Sequence, residues 1–550
     1  MAGQPLLRLL PSRYDDGVFE PRSRSAAGGQ LPSARVVSQA VTRSEDVPDA
    51  RFTLSVMQWG QFVDHDLMLT PHFSLDGGAG IACCTDAGLP LPAQQLHPQC
   101  LPITIPTTDP FYGPLGQACM DFVRSLPAPA PTCGATRDAQ QQNVLSHFLD
   151  GSNVYGSEEA HQRHLRQLGG GWLRTQPGSL LPADSQGGGC INATTVCFEA
   201  GDVRVNEQIS LTVTHTIWMR QHNRVASALA ARHTTWDDER LFQEARRIVV
   251  AQMQHITYNE WLPTLLDADF LTRNELLPGT GTAHSEKYMS TLNPSISNEF
   301  ATAAFRFGHS MVSGTLKMFS ALGGSATSVL LRDFFFDPHL LYSSERLNEL
   351  ARGLVAQQAQ ALDGYFAEDL TEHLFQGDGD AYGLDLVALN IQRGRDHGLA
   401  TYNDARAAAG LPRAQRWEDL SSDLPDEAIT ALRAAYGHVD DVDMFVGGVL
   451  ERPLPGVALG RTFGRLIGDQ FIRLRHGDNF FYDLGGDRPW QLTGAQLAQV
   501  RRTSWARVLC DNVDGITRVQ PLAFRVADTA ANAVTDCDSR AIPTVDLSQW

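Results

Sequence analysis

No apolar run in this chain approaches the ~18 residues that a membrane-spanning helix needs, so no transmembrane helix is predicted. No Gly/Ser linker, block of like charges or internal repeat divides the 550 residues; there are only short turn-rich stretches such as 126–131 and 169–189. Length alone would suggest several domains, but with nothing to part them a single large domain is expected. Positive charge is the minority: 44 Lys and Arg stand against 62 Asp and Glu, a formal charge of −18 with a pI near 5.3. That balance argues against nucleic acid or an anionic membrane as a general partner. Met1–Leu10 lacks the apolar centre of a secretory leader, because Arg8 interrupts a short leucine cluster. The adhesive tripeptide Arg-Gly-Asp is absent, and few segments alternate as strands do. A hydrophobic content of 43% is ample for a large core.

Cysteine is not scarce. Cys83, Cys84, Cys100, Cys119 and Cys133 cluster, Cys190 and Cys197 lie close together, and Cys510 and Cys537 sit near the end. Spacing so favourable to pairing points to an oxidising compartment, and Cys190 with Cys197 suits one tight loop. Asn192-Ala193-Thr194, between those two, is a glycosylation sequon. These signs conflict with the missing leader. The expectation is an extracellular protein, with either a truncated sequence or a longer precursor that has lost its leader and upstream modules.

The coarse pattern is helical. Arg51 to Leu69, Leu211 to Ala231 and Ser295 to Val312 carry apolar residues at helical spacing. Trp236 to Tyr258 opens with Thr235 as N-cap and Asp237, Asp238 and Glu239 in its first turn. The first of these segments contains Trp59-Gly60-Gln61-Phe62-Val63-Asp64-His65-Asp66. On a helix, Gln61 and His65 share one face with Asp64 beside them, while Asp66 points elsewhere. A buried helix carries that much polarity only where there is something to bind. A second pattern is Ser146, Phe148, Asp150 and Ser152, at every second position. In an extended loop these place two hydroxyls, a backbone carbonyl and a carboxylate on one side, a set that suits a hard cation without the spacing of an EF-hand.

Five ordered blocks carry a resemblance. They are Trp59–Asp66, Ser146-His147-Phe148-Leu149-Asp150-Gly151-Ser152-Asn153-Val154-Tyr155-Gly156-Ser157, Gly201-Asp202-Val203-Arg204-Val205-Asn206-Glu207, Phe305-Arg306-Phe307-Gly308-His309, and Asn390-Ile391-Gln392-Arg393-Gly394-Arg395-Asp396-His397-Gly398. With the opening Leu9-Leu10-Pro11-Ser12-Arg13-Tyr14-Asp15-Asp16-Gly17, the chain resembles the animal haem peroxidases, the family of myeloperoxidase, lactoperoxidase, thyroid peroxidase and peroxidasin. The resemblance implies a mainly α fold: one domain over residues 1–550, haem buried between helices and little β structure. Residues 1–50 would form an extended N-terminal arm and residues 515–550 a C-terminal tail tied by a disulfide.

Splitting a peroxide needs a neutral nitrogen ligand on one side of the iron. On the other side it needs a base that moves a proton between the peroxide oxygens and a cation for the developing charge. The resemblance assigns His309 as axial ligand, His65 as acid–base and Arg204 as cation, with Gln61 beside His65. Asn390 would take the second N–H of His309, and Arg306 and Arg393 would face haem propionates. Asp64 and Glu207 stand where the family forms esters to haem methyls. Gln208 stands where some relatives carry a methionine that bonds a vinyl group, so no third bond is expected. Calcium would be held by Ser146, Phe148, Asp150 and Ser152, with Asp66 completing the shell. The family's crossed pattern implies Cys83–Cys100 and Cys84–Cys119, beside Cys190–Cys197 and Cys510–Cys537. Cys133 is then the odd cysteine, able to join two chains.

The implied activity is reduction of hydrogen peroxide and oxidation of a small donor (halide, thiocyanate, tyrosine or phenol) by haem b through a ferryl state, as part of a response to oxidative stress. Two rivals stand beside it. One is a secreted matrix or adhesion protein with a degenerate peroxidase domain, against which Gln61, His65, Arg204, His309 and Asn390 all survive. The other is a fatty-acid dioxygenase, which needs a tyrosine where this chain has Arg306.

Overall fold

The computed structural model describes residues 2–129, 138–185, 189–190, 195–321, 326–343, 345–377 and 379–550. Cys133 and the Asn192 sequon fall outside them. The architecture is mainly α. Among the described residues the strands form four two-stranded antiparallel sheets, none of which builds a layer. One continuous apolar core runs through the molecule.

Helix α1, Ser55–Leu67, passes through that core with Val56, Trp59, Phe62, Val63 and Leu67 fully buried. It is shorter than the sequence pattern predicts. Pro48–Thr53 instead forms a strand against Gln358–Gln360, and the Thr53 and Leu54 amides donate to the Phe524 and Gln357 carbonyls. Long-range backbone pairing overrides local helical periodicity there. Helix α2, Ile209–Arg232, packs on α1 and on helix α3, Asp238–Ile256. The first half of α2 is buried on every side, so it is a core helix rather than an amphipathic one.

The N-cap of α3 is Asp237, whose side chain accepts from the Arg240 amide at 2.9 Å. The expected cap, Thr235, lies upstream, and Trp236 stacks on His233 at 3.8 Å between ring centres. A carboxylate two residues later is the better acceptor beside the positive end of the helix. The end of α3 runs into a π-helical turn, Thr257–Trp261.

The segment Ser295 to Val312 is not one helix. Ser297 caps a short α-helix, Asn298–Thr302, the backbone breaks at Ala303, and a 3-10 turn, Ala304–His309, ends on the histidine. Helix α4, Leu386–Asp396, carries Asn390 and Arg393. Helix α5, Trp505–Asn512, carries Cys510 and packs on α2.

Disulfides join Cys83–Cys100, Cys84–Cys119, Cys190–Cys197 and Cys510–Cys537, the four that were expected. Residues 2–50 hold little regular structure beyond one helix, Ala34–Val41, and the start of the strand Pro48–Thr53, and they send Leu6, Ala34, Val37 and Val41 into the core. Beyond residue 515 the chain is held by Cys537 and by pairing of Arg518–Val519 with Thr535–Asp536. Among the described residues no helix is long and apolar enough to cross a membrane.

Candidate active site

One cavity collects most of the singled-out residues. Gln61, Asp64 and His65 of α1 stand on its wall together with Arg204, Glu207, Arg306 and His309. Phe305, Phe335, Phe375, Leu374 and Leu386 complete an apolar lining. Side chains from four distant blocks of sequence therefore face one space. Asn390 is fully buried behind His309 and does not reach the cavity.

On one side, Asn390 Nδ2 donates to His309 Nδ1 at 2.8 Å, while Arg306 donates to Asn390 Oδ1 at 2.7 Å. The pair predicted from sequence is present, with the amide turned so that it gives rather than takes the hydrogen bond. The cause is Arg306, which claims the amide oxygen. Burial first, then Arg306, lowers the His309 pKa to about 3, so the ring is neutral. With Nδ1 occupied by Asn390, Nε2 is the nitrogen left for a ligand in the cavity.

On the other side stands His65. Its Nε2 lies 3.8 Å from Glu207 Oε2 and its Nδ1 lies 3.6 Å from Asp202 Oδ1, so Nε2 faces the cavity and Nδ1 faces back into the protein. Burial, then Arg204, holds its pKa well below the ordinary histidine value, and the ring is neutral and free to accept a proton. Arg204 is gripped by Asp202 in a fork: Nε reaches Oδ1 at 2.8 Å and Nη2 reaches Oδ2 at 2.8 Å. Nη2 also donates to the Met68 carbonyl, and Nη1 lies 3.5 Å from Asp64 Oδ2.

Sequence reasoning assigned no role to Asp202, although a carboxylate two positions before the arginine was a readable signal. Gly201 lets Asp202 sit there. A Cβ at residue 201 would come within 2.3 Å of the Ser152 carbonyl oxygen, so only glycine brings this block so close to the helix Ser152–Tyr155.

Asp64 and Glu207 both face the cavity. Burial raises them to about 6 and about 7 respectively, with Arg204 opposing the rise in each case. Gln61 donates to Glu207 at 3.4 Å, and Gln208 bridges Gln58 at 2.6 Å and Gln61 at 2.9 Å. Gln208 also caps α2 by accepting from the Ser210 amide. Arg393 is not on the cavity wall. It donates to the Val123 carbonyl, Ser125 and Asp396, and to His72 Nε2 at 2.9 Å.

The loop from Ser146 to Ser152 closes on Asp66. Asp66 Oδ1 accepts from Ser152 Oγ at 2.7 Å, and Oδ2 accepts from the Gly151 amide at 3.0 Å. The Ser152 amide donates to Asp150 Oδ1 at 3.2 Å. The loop is not plainly extended, because His147 has φ 66° and Gly151 φ 75°. The left-handed turn at a non-glycine residue is held by His147 Nδ1, which accepts from the Ile296 amide at 3.0 Å. Burial pushes Asp66 and Asp150 above the usual carboxylate range, and the Asp150 charge adds to the rise at Asp66. Two buried acids without a cationic partner at contact, flanked by hydroxyls, fit a hard cation. Among the described residues there is no group of three or more His, Cys, Asp or Glu side chains placed to hold a metal. An oxygen site of this composition has only two.

Comparison with known proteins agrees with this geometry. The family model described as animal haem peroxidase matches residues 1–524, and the chain belongs to that family. It is 39% identical to a chorion peroxidase of Drosophila melanogaster over 100% of this chain and 68% of that one. It is 37% identical to the peroxidasin homolog of Homo sapiens over 99% of this chain and 37% of that one. Among solved structures, peroxidase A from Dictyostelium discoideum superposes with a TM-score of 0.77 at 29% identity, covering 95% of each chain. A fatty acid alpha-dioxygenase from Oryza sativa shares the fold, with a TM-score of 0.70 at 20% identity over 96% of this chain and 89% of that one. The protein is thus an enzyme of the peroxidase class.

Proposed function

We propose that the cavity binds haem b between His65 and His309, and that the protein reduces hydrogen peroxide at the expense of a small donor such as a halide, thiocyanate, tyrosine or a phenol. The observation that carries this reading is the shared cavity: two neutral histidines from separate blocks, His309 backed by Asn390, face one largely apolar space. The residues fit the group. His309 would hold the iron through Nε2 with Asn390 behind it, and Arg306 would pair with a propionate. Once Arg306 turns to that anion, the Asn390 amide is free to rotate and accept from His309 Nδ1, the polarity a metal-bound imidazole prefers. Arg393 is the candidate for the second propionate, with its present partners Asp396 and Ser125 keeping it in place.

Bound haem supplies the redox chemistry at iron. His65 Nε2 would take a proton from hydrogen peroxide and return it to the departing oxygen. Arg204, anchored by Asp202, stabilises the charge that builds on that oxygen. Gln61 orients the peroxide. Asp64 and Glu207 would form esters to haem methyls, each methyl losing two electrons to hydrogen peroxide, which leaves as water, and Gln208, lacking sulfur, would form no further bond. Arg306, in the position of the dioxygenase tyrosine, disfavours fatty-acid oxidation by a tyrosyl radical.

Asp66, Ser146, Phe148, Asp150 and Ser152 are the proposed calcium ligands. Four disulfides support an extracellular location, and Cys133, unassigned to any of them, is the candidate for a link between two chains.

The test pairs two variants. His309→Ala should abolish the Soret band. His65→Ala should keep haem and slow the reaction with peroxide by ~100-fold or more. A normal haem spectrum in the first, or an unchanged stopped-flow rate in the second, removes that residue from the site.

A further inference from the structure

His65 has two ring nitrogens, and its proposed role fixes what each must do. For Nε2 to accept a proton in the cavity, Nδ1 must carry the ring's own hydrogen and point it at a fixed acceptor. Asp202 Oδ1 is the carboxylate nearest to it, but at 3.6 Å it is beyond a direct hydrogen bond. Both Asp202 oxygens are also already engaged by Arg204, Oδ1 by Nε and the Arg204 amide, and Oδ2 by Nη2. A polar contact at this range is the kind that a water bridges.

Polar atoms that such a water would serve lie behind His65. Among the described residues, His65 Nδ1, Asn153 Oδ1 and a ring nitrogen of His215 are buried polar atoms without a protein partner. The three side chains are 3%, 0% and 1% exposed, so bulk water does not serve them. They are gathered by the same scaffold. Asn153 Nδ2 donates to the Phe62 carbonyl at 2.7 Å, one turn before His65 on α1. The Asn153 carbonyl accepts from the Asp202 amide at 3.1 Å. The His215 ring, on α2, packs edge-on against Phe62 with centroids 5.0 Å apart. The Asn153 carbonyl also faces His215 as a backbone acceptor, which leaves the other ring nitrogen of His215 without a partner.

On its outer side His215 lines a small cavity with Val154, Leu165, Ala200 and Met219, with room for about one water, which reaches toward Arg174 and Glu199. Burial lowers the His215 pKa to about 4, so the ring is neutral and offers one donor and one acceptor. Leaving such atoms unpaired in a native core is costly, and an internal water with two to four polar neighbours is the ordinary remedy.

We propose that His215 is a positioning residue for His65. With Asn153 it holds a buried water that accepts from His65 Nδ1, fixing the tautomer and ring angle that aim Nε2 at the peroxide. This rests on the reading of His65 as the acid–base. His215 touches neither peroxide nor haem, so its effect is confined to the peroxide step.

The test uses the full-length holoenzyme. His215→Phe, which keeps the ring volume and removes both nitrogens, should lower the stopped-flow rate with hydrogen peroxide by ~10-fold or more, the usual size of a lost outer partner. Its Soret-to-protein absorbance ratio and thermal midpoint should stay near the wild-type values. His215→Gln, which restores a donor and an acceptor, should recover most of the rate. A merely structural role predicts no such recovery. A high-resolution crystal structure of the wild-type enzyme should show a water within hydrogen-bond distance of His65 Nδ1 and of His215 or Asn153.

A wild-type rate in His215→Phe, equal slowing in His215→Phe and His215→Gln, or a dry site in the crystal overturns the proposal. His65→Ala is run alongside. If that variant alone is slow, the acid–base reading stands and only the positioning role fails. If it is fast, both fall.

Discussion

At the scale of single residues the site is a contest over charge. Arg204 sits among Asp202, Asp64 and Glu207, and Asp202 holds it by two parallel bonds. That grip lowers the Asp202 carboxyl below its ordinary range in spite of burial. Asp202→Asn should therefore do two things. It should leave a buried guanidinium short of its partner, at about 3–5 kcal/mol of stability for a broken buried pair. It should also let Arg204 drift from the peroxide and slow the stopped-flow peroxide step, whereas an unchanged rate would mean that Asp202 only solvates the arginine. Asp64 and Glu207 give a second prediction. After repeated turnover with peroxide, acid–acetone should fail to extract the haem, and Asp64→Ala combined with Glu207→Ala should make it extractable. Free extraction from the turned-over wild type would show two ordinary buried acids. What the sequence revealed here followed covalent proximity. Gln61, Asp64, His65 and Asp66 are legible because one helix carries them. His215 and Asn153 were not, since an isolated buried histidine on α2 resembles any core residue until folding brings it behind His65.

At the scale of elements, irregularity is what places the chemistry. The break at Ala303 turns a predicted helix into a 3-10 turn that presents His309 to the cavity. The periodicity of apolar residues survives such a break, so the sequence alone reads through it. The π-helical turn at the end of α3 has its own consequence. It aims Glu260 at the first amide of α5, with both carboxylate oxygens 3.3 Å from the Trp505 nitrogen. Burial raises this acid from 4.5 to about 8, against the smaller opposing effect of the Trp505 hydrogen bond. The folded value is above the unfolded one, so between those pH values the native state holds a proton that the unfolded chain has lost. Stability must then fall as pH rises from about 4.5 to about 8. Glu260→Gln, which keeps an acceptor for Trp505, should match wild type near the lower value and have the higher thermal midpoint near the upper one. Equal midpoints at both ends would show that Glu260 titrates normally. The loop from Ser146 to Ser152 acts on α1 through Asp66. Chelation, or Asp150→Ala, should lower the midpoint by what a ligand at ~100 times its dissociation constant provides, about 2.7 kcal/mol, and should loosen haem. Metal analysis finding no calcium in pure protein refutes that site.

At the scale of the whole molecule, the fold class was legible because long apolar periods and five ordered blocks extend across the chain. The sheets were not, since each is a short pairing between distant segments. The chain closes with a tail that lies outside the chemistry. Among the described residues, none beyond Leu386 lines the cavity. The tail is nevertheless tied in: Cys510–Cys537 spans a separation of 27 residues, Arg507 donates to the Cys537 carbonyl at 2.8 Å, and His233 Nε2 lies 2.8 Å from the Trp550 carbonyl. Cross-linking a loop of that size restrains the unfolded chain by about 3–4 kcal/mol. The hydrogen bonds of the tail do not depend on the sulfur bridge and should survive its removal. Cys510→Ala with Cys537→Ala should thus lower the denaturation midpoint by that order and leave the Soret band and the rate of reaction with peroxide unchanged. The separation of the two readouts is the point of the experiment. If haem binding falls together with stability, the tail supports α5, and through its packing on α2 the haem cavity, more directly than its distance from the cavity wall implies.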